Sequence, residues 1–288
     1  MEVTKKLDEI NKRVEAETEA RFADSQMNFW PDDKRAAPNA MVRCSLFRGA
    51  MAGKPGSRKL HTETLIASLG GEEIYYNGED LDQKDFDVWM AVLQVFRDQP
   101  MGAAVEVSSN ELLRLAGLTN TGPSHSALKS RLKRLAFTRV DVIPSDPSNK
   151  AAFYGALLQE AERTSDGKHW SLRLAPKLKA LFGDGYTWLD WEIRSRLGRA
   201  SLAQWLHGFY RSHRTPLPIG VERLKELSGS GTHELRFFRN DLKKALRRVQ
   251  EACLAYGVEM EWRYAPQNDT IHVRWITRES EKPRKRLK

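Results

Sequence analysis

One order of elements occurs twice along this chain, and that recurrence constrains the fold more than any single segment. In the first pass, residues 81–99 carry Leu81, Phe86, Trp89, Val92, Leu93 and Phe96 largely on one helical face. A brief strand over 105–107 follows. Ser108 or Ser109 then caps a helix over 110–116 that Gly117 can end. After a turn at 119–123, Ser124 caps a second helix over 127–136. Strand-like runs come next at 138–143, 153–160 and 170–174, separated by turn-rich loops at 144–150 and 164–168. In the second pass, helices are predicted over 191–197 and 202–212, then an extended Pro-Leu-Pro-Ile stretch at 216–219. A short helix over 221–227 is closed by the Ser-Gly-Ser-Gly turn at 228–231. A long helix covers 233–256, and strands at 258–264 and 270–276 join at 266–269.

Helix, strand, short helix, turn, second helix, hairpin is a winged-helix order. The recurrence is one of pattern, not of sequence identity. It predicts an α+β chain of two tandem winged-helix domains with a flexible N-terminal arm and a basic C-terminal tail. The expected ranges are 1–40 for the arm and linker, 41–183 for the first domain, 184–278 for the second and 279–288 for the tail. The turn-rich stretch from Trp30-Pro31-Asp32-Asp33 to Pro38-Asn39 reads as linker, and residues 73–77 as a short strand.

The partner class is suggested first by charge. A chain of 288 residues with 47 Lys and Arg against 38 Asp and Glu carries a net charge of +9, which leans toward a polyanion. The two cysteines, Cys44 and Cys253, form no CxxC pair, which disfavours zinc ribbons and redox motifs and fits a reducing cytosol. No apolar run approaches the ~20 residues needed to span a bilayer. Residues 1–17 alternate charges without a hydrophobic signal core. A cytoplasmic protein with no membrane partner is expected.

The long helix holds the strongest functional signal. Leu235, Phe238, Leu242, Ala245, Leu246, Val249 and Cys253 form its core stripe. Arg236, Arg239, Asn240, Lys243 and Arg247 lie on another face, and Arg and Asn are the types that pair with guanine and adenine edges in the major groove. Lys244 and Arg248 flank that face within reach of phosphates. The earlier counterpart buries Leu128, Leu132 and Leu135, and presents Ser126, Lys129, Ser130 and Lys133 outward with Arg131 and Arg134 beside them. Two such helices, each after a short helix and a turn, can read neighbouring segments of double-stranded DNA. Lys150, Lys168, Arg263 and Arg274 are weaker candidates on the hairpins.

Other chemistries fit less well. Residues 49–55, Gly-Ala-Met-Ala-Gly-Lys-Pro, mimic a phosphate loop, but the spacing is one residue short and Pro55 stands where a Mg²⁺-binding Ser or Thr is needed. Tyr75-Tyr76 lacks the His-x-His that a strand-nicking site uses to hold a metal. The seven histidines are scattered, so no metal site or cofactor is expected. Asp80, Asp82, Asp85 and Asp87 sit beside a helix start, where they favour its dipole. No nucleophile–base constellation is visible, and no enzymatic activity is expected.

Three stretches resemble the TrfA family of plasmid replication initiators. One is Trp30-Pro31-Asp32 with Ala37-Pro38-Asn39 and Cys44-Ser45-Leu46-Phe47. Another is Ile74-Tyr75-Tyr76-Asn77-Gly78-Glu79-Asp80-Leu81 with Asp87-Val88-Trp89. The third is Leu181-Phe182-Gly183-Asp184 with Tyr186-Thr187, then Leu-His-Gly-Phe-Tyr-Arg-Ser-His-Arg at 206–214. The second recognition helix matches more in character than in letters. The resemblance implies a bacterial cytoplasmic protein that binds repeated sites, called iterons, at a plasmid origin. It implies opening of an adjacent AT-rich segment, with host initiator, replicative helicase and sliding clamp as partners, and a homodimer as an inactive form. It implies no catalysis. In this family a QLSLF-type pentapeptide just before the Trp-Pro-Asp segment docks in the sliding clamp. The corresponding position here reads Gln26-Met27-Asn28-Phe29-Trp30, with Gln26 as polar anchor and Met27, Phe29 and Trp30 as apolar plugs. Asn, Phe and Trp replace Ser, Leu and Phe, and the spacing to Pro31 is shorter. The alternative is that Phe29 and Trp30 pack onto the first domain. The alternative function is a winged-helix transcription or copy-number regulator that binds an operator without melting DNA.

Overall fold

A computed structural model describes residues 30–51, 58–145, 152–183 and 185–276. Strand β1 (Lys34–Pro38) leads through helix α1 (Asn39–Val42) to β2 (Phe47–Arg48). Strands β3 (Leu60–Ile66), β4 (Glu72–Glu79) and β5 (Leu81–Asp82) precede helix α2 (Gln83–Phe96). Asp82 caps α2 by accepting from Lys84 N and Asp85 N, and the Asp85 side chain accepts from Asp82 N in return. The reciprocal pair satisfies amides that have no partner within the helix.

Strand β6 (Ala104–Ser108), helix α3 (Ser109–Leu115) and helix α4 (Gly122–Ala136) follow, and Ser108 caps α3 as the sequence suggests. Helix α4 starts earlier than expected, because Thr121 rather than Ser124 supplies the cap and Pro123 occupies the first turn. Proline's fixed φ and missing N–H cost nothing there.

The first half continues with β7 (Arg139–Pro144), β8 (Phe153–Gly155), β9 (Glu160–Arg163), β10 (His169–Arg173), a 3-10 turn at Pro176–Phe182 and β11 (Tyr186–Asp190). The run at 153–160, read as one strand, is broken into β8 and β9. Leu157 and Leu158 in the break are both fully buried, and Trp89 Nε1 donates to Leu157 O at 3.0 Å. A regular strand would turn adjacent residues to opposite faces. The second half comprises α5 (Trp191–Leu197), α6 (Ser201–Arg211), β12 (Ile219–Gly220), α7 (Val221–Leu227), α8 (Leu235–Leu254), β13 (Glu259–Ala265) and β14 (Thr270–Ile276).

The twofold recurrence extends to strand order. One three-stranded sheet runs β6-β10-β9 and the other β12-β14-β13. In each, the strand before the helix pair lies antiparallel to the last strand of the hairpin that follows it. The halves differ by an insertion. Strands β7 and β8 leave the first helix pair to join the sheet β3-β4-β7-β8 before the chain returns to β9.

Buried apolar side chains form two clusters, one drawn from residues between Trp30 and Trp191, the other from residues between Ile193 and Val273. Residues 43–49 join them. Arg43 Nε donates to Ser212 Oγ at 2.9 Å, Trp205 Nε1 to Cys44 O at 3.2 Å, and Gly49 N to Ser228 O at 2.7 Å. Arg194, 1% exposed, reaches back from α5 to Asp87 Oδ1 at 2.6 Å and Gln83 Oε1 at 2.9 Å.

Part of the expected linker is structured. Lys34–Pro38 is a strand paired antiparallel with β11, and Ala36 and Ala37 are buried. Pro31, Asp32 and Asp33 make the turn before β1, whereas Pro38 ends the strand and Asn39 starts α1. The rest of the expected arm, residues 1–29, and the expected tail at 279–288 lie outside the described residues.

Candidate nucleic-acid interface

Helix α8 turns Phe238, Leu242, Leu246, Val249 and Cys253 into the second core. Arg236, Asn240, Lys244, Arg247 and Arg248 are exposed, and Lys243 is half-buried. The apolar residues recur at helical spacing, so the same 3.6-residue period that buries one face presents the others together. Among the described residues, no ion pair involves Lys244, Arg247 or Arg248.

Three of the candidates on this helix have protein partners. Arg239 makes two 2.8 Å bonds, Nε to Asp269 Oδ1 and Nη2 to Asp269 Oδ2. Asp269 stands in the β13–β14 turn at φ +48°, and Tyr264 Oη also donates to it at 2.8 Å. The hydrogen bonds from Arg239 hold the Asp269 carboxyl below the usual carboxylate range, and Arg239 itself is raised by the same bonds. Lys243 Nζ lies 3.8 Å from the centre of the Tyr264 ring. Arg236 Nε is 2.6 Å from Glu234, and its guanidinium lies over Phe237. The face poor in carboxylates along the sequence thus receives one from the hairpin, thirty residues away in the chain.

On α4, Ser126, Lys129, Ser130 and Lys133 are exposed, with Leu128, Leu132 and Leu135 buried beneath them. Ser130 Oγ is engaged with Ser126 O at 3.1 Å. Arg134 is not available as a DNA contact. Its side chain is 9% exposed, and it pairs with Asp85 at 3.0 Å and with Glu79 at 3.3 Å. Buried Asp85 also receives Arg58 at 3.0 Å, with Arg131 at 3.7 Å. The Asp-rich stretch therefore does more than favour the dipole of α2, because it gathers guanidinium groups from α4 and from the segment before β3 around one helix start. Both candidate serines and both lysines of α4 keep their outward positions, whereas Arg134 and Arg131 are structural.

Among the clamp candidates, Trp30 is 1% exposed, donates from Nε1 to Gln94 Oε1 and packs edge-on to Trp188. A side chain so enclosed cannot plug a partner's pocket, so Trp30 is removed from that set; Gln26, Met27 and Phe29 lie outside the described residues. On the hairpins, Lys168 and Arg263 are exposed, Arg274 is paired with Glu261 at 2.9 Å, and Lys150 lies outside the described residues. Tyr76 is buried with its hydroxyl donating to Glu79 O. Among the described residues, no group of three or more His, Cys, Asp or Glu side chains is placed to hold a metal ion, and no helix is long and apolar enough to cross a membrane.

Sequence inspection missed Asp269 and Arg199. The turn at 266–269 was visible, but nothing in it points to a partner on a helix thirty positions earlier. Arg199 sits beyond the periodic pattern of α4 and α8, in the turn between α5 and α6, and is exposed.

Comparison with known proteins places these features in context. The family model described as TrfA protein matches residues 10–274. Plasmid replication initiator protein TrfA of Escherichia coli is 25% identical over 250 residues, an alignment covering 85% of this chain and 63% of that protein. The chain thus spans less than two thirds of the length of this relative. Among solved structures, the crystal structure of domains 2 and 3 of RctB superposes with a TM-score of 0.55 at 16% identity, covering 83% of this chain and 98% of that one. At that identity the likeness concerns the fold.

Proposed function

This chain belongs to the TrfA family, and from that premise we propose that it initiates plasmid replication by binding duplex DNA at repeated origin sites. Each half is assigned as a winged-helix module, over 41–183 and 184–278, with the strand at Lys34–Pro38 added to the first. The observation that carries the reading is the twofold recurrence of helix pair and three-stranded sheet, with a basic outward face on the second helix of each pair. A helix presented in this way fits the major groove, with Asn240 and Arg247 directed at base edges and Lys129, Lys133 and Lys244 at phosphates. Arg239 and Lys243 serve by fixing α8 to the hairpin, and Arg236, held by Glu234, stands at the edge of the surface.

Once bound, the protein is assigned the opening of an adjacent AT-rich segment together with the host initiator, and recruitment of the replicative helicase. The sliding clamp is assigned to the segment Gln26-Met27-Asn28-Phe29 without Trp30. A homodimer is the expected inactive form. No catalytic step is assigned to any residue.

The test is a footprint on the origin of the replicon that encodes this chain, combined with permanganate probing. Protection of repeated sites with reactive thymines in a neighbouring AT-rich stretch is the expected result. Protection without melting, even with host initiator present, would instead favour an operator-binding regulator.

A further inference from the structure

The positive surface of α8 does not end at its outward face. Lys244 and Arg248 form one wall of a cleft of about 430 Å³, and Arg199 and Ser201 at the α5–α6 turn face them from a separate element. Asp241 is the one carboxylate among the lining residues, set against three cations. Arg199, Lys244 and Arg248 are all exposed, and among the described residues none of them is held in an ion pair. Helix α6 begins at the cleft without a side-chain cap, so amides of its first turn add to the positive field.

The cleft also lies on the path between the two basic helices. Gly117 follows the end of α3, at the start of the turn to α4, and a Cβ placed on it would lie 3.5 Å from Ser195 Oγ of α5. Helix α5 therefore runs from the helix–turn–helix of the first half to the cleft beside α8 in the second, and it carries Arg196 exposed on the way.

We propose that this cleft is a phosphodiester-binding site, in which Arg199, Lys244 and Arg248 grip the backbone of the same duplex that α8 reads. The inference rests on the duplex-binding reading above. Two guanidinium groups and an ammonium converging from two elements match a tetrahedral phosphate better than a lone planar carboxylate, and Arg offers its donors in a fixed fork. Contacts of this kind fix register without reading bases.

The full-length chain, titrated against a fluorescein-labelled mixed-sequence duplex by anisotropy from roughly 50 to 200 mM salt, tests the site. The Arg199→Gln/Arg248→Gln double variant should lower the slope of log affinity against log salt by about 0.9, the share of the one phosphate that is no longer neutralised, and weaken binding roughly tenfold. An origin duplex should show the same loss, because the cleft ignores sequence. Arg199→Lys/Arg248→Lys should retain the wild-type slope. A Gln variant with unchanged slope, or a Lys variant as defective as the Gln variant, would overturn the cleft while leaving duplex binding intact. A wild-type chain that binds no duplex would overturn both readings together.

Discussion

Arg239 on α8 and Asp269 at the tip of the following hairpin are joined by a bidentate pair, with both bonds at 2.8 Å. The pair ties α8 to the β13–β14 hairpin. Asp269 also takes the left-handed turn position, at φ +48°, and accepts from Tyr264.

If Arg239 acts by holding the hairpin, Arg239→Gln and Asp269→Asn should lose the same amount of duplex affinity, and the double variant no more than either. Asn keeps the turn, because it tolerates the left-handed region. The direct cost in stability should stay within about 1 kcal/mol, since the pair is partly exposed. Anisotropy on the double-mutant cycle reads the coupling. Undiminished affinity in Asp269→Asn beside a loss in Arg239→Gln would reassign Arg239 to direct DNA contact.

Asp85 poses the opposite case, because its side chain has no exposure and faces Arg58, Arg131 and Arg134. Asp85→Ala should destabilise the first half by about 3–5 kcal/mol, since it strands buried guanidinium groups. Urea unfolding would measure it, and a loss under about 1 kcal/mol would contradict the assignment of Arg134 to structure rather than DNA.

His207 predicts a pH dependence. It is fully buried on α6, and neither ring nitrogen has a hydrogen-bond partner among the described residues. Burial, reinforced by Arg211, Arg194 and Lys34, lowers its pKa to about 3. Between the ordinary value of 6.5 and that value the unfolded chain binds a proton that the folded chain refuses. Stability is thus fully present above pH 6.5 and falls as the pH drops toward 3, by up to about 1.4 kcal/mol per pH unit. His207→Leu should flatten the unfolding midpoint between those limits, and an unchanged slope would remove His207 as its cause.

Trp30 should behave as a core residue. Trp30→Ala is expected to cost about 3–5 kcal/mol in urea unfolding. Removing residues 1–29 should spare duplex binding and weaken clamp binding, by surface plasmon resonance. Equal clamp binding with and without the segment would discard the Gln26, Met27 and Phe29 proposal.

What the sequence made legible was local. The recurring element order, the apolar stripes of α4 and α8, and the cap at Ser108 follow from short-range period and chemistry, and all are present in the structure. Asp82 and Asp85 were read correctly as suited to a helix start, but their cationic partners come from α4 and from the segment before β3. The misreadings share that origin. Leu157 and Leu158 break a strand because both find core; Trp30 instead takes the alternative place foreseen for it, packed in the first half against Gln94 and Trp188 far away in the chain. At the interface, a carboxylate-free stretch of helix said nothing of Asp269, since a hairpin delivers it from outside the helical period. Outward position was readable from periodicity; freedom from a partner was not.

Both helix pairs are proposed to present duplex-binding faces, and a single affinity comparison tests them together. Affinity for an origin duplex should be compared between the wild-type chain and a variant carrying Lys129→Ala, Lys133→Ala, Asn240→Ala and Arg247→Ala, all at exposed positions. The expected result is a loss well beyond tenfold, at about 1–3 kcal/mol for each side chain that reads a base, with an unchanged unfolding midpoint. Equal affinity in a folded variant would contradict it.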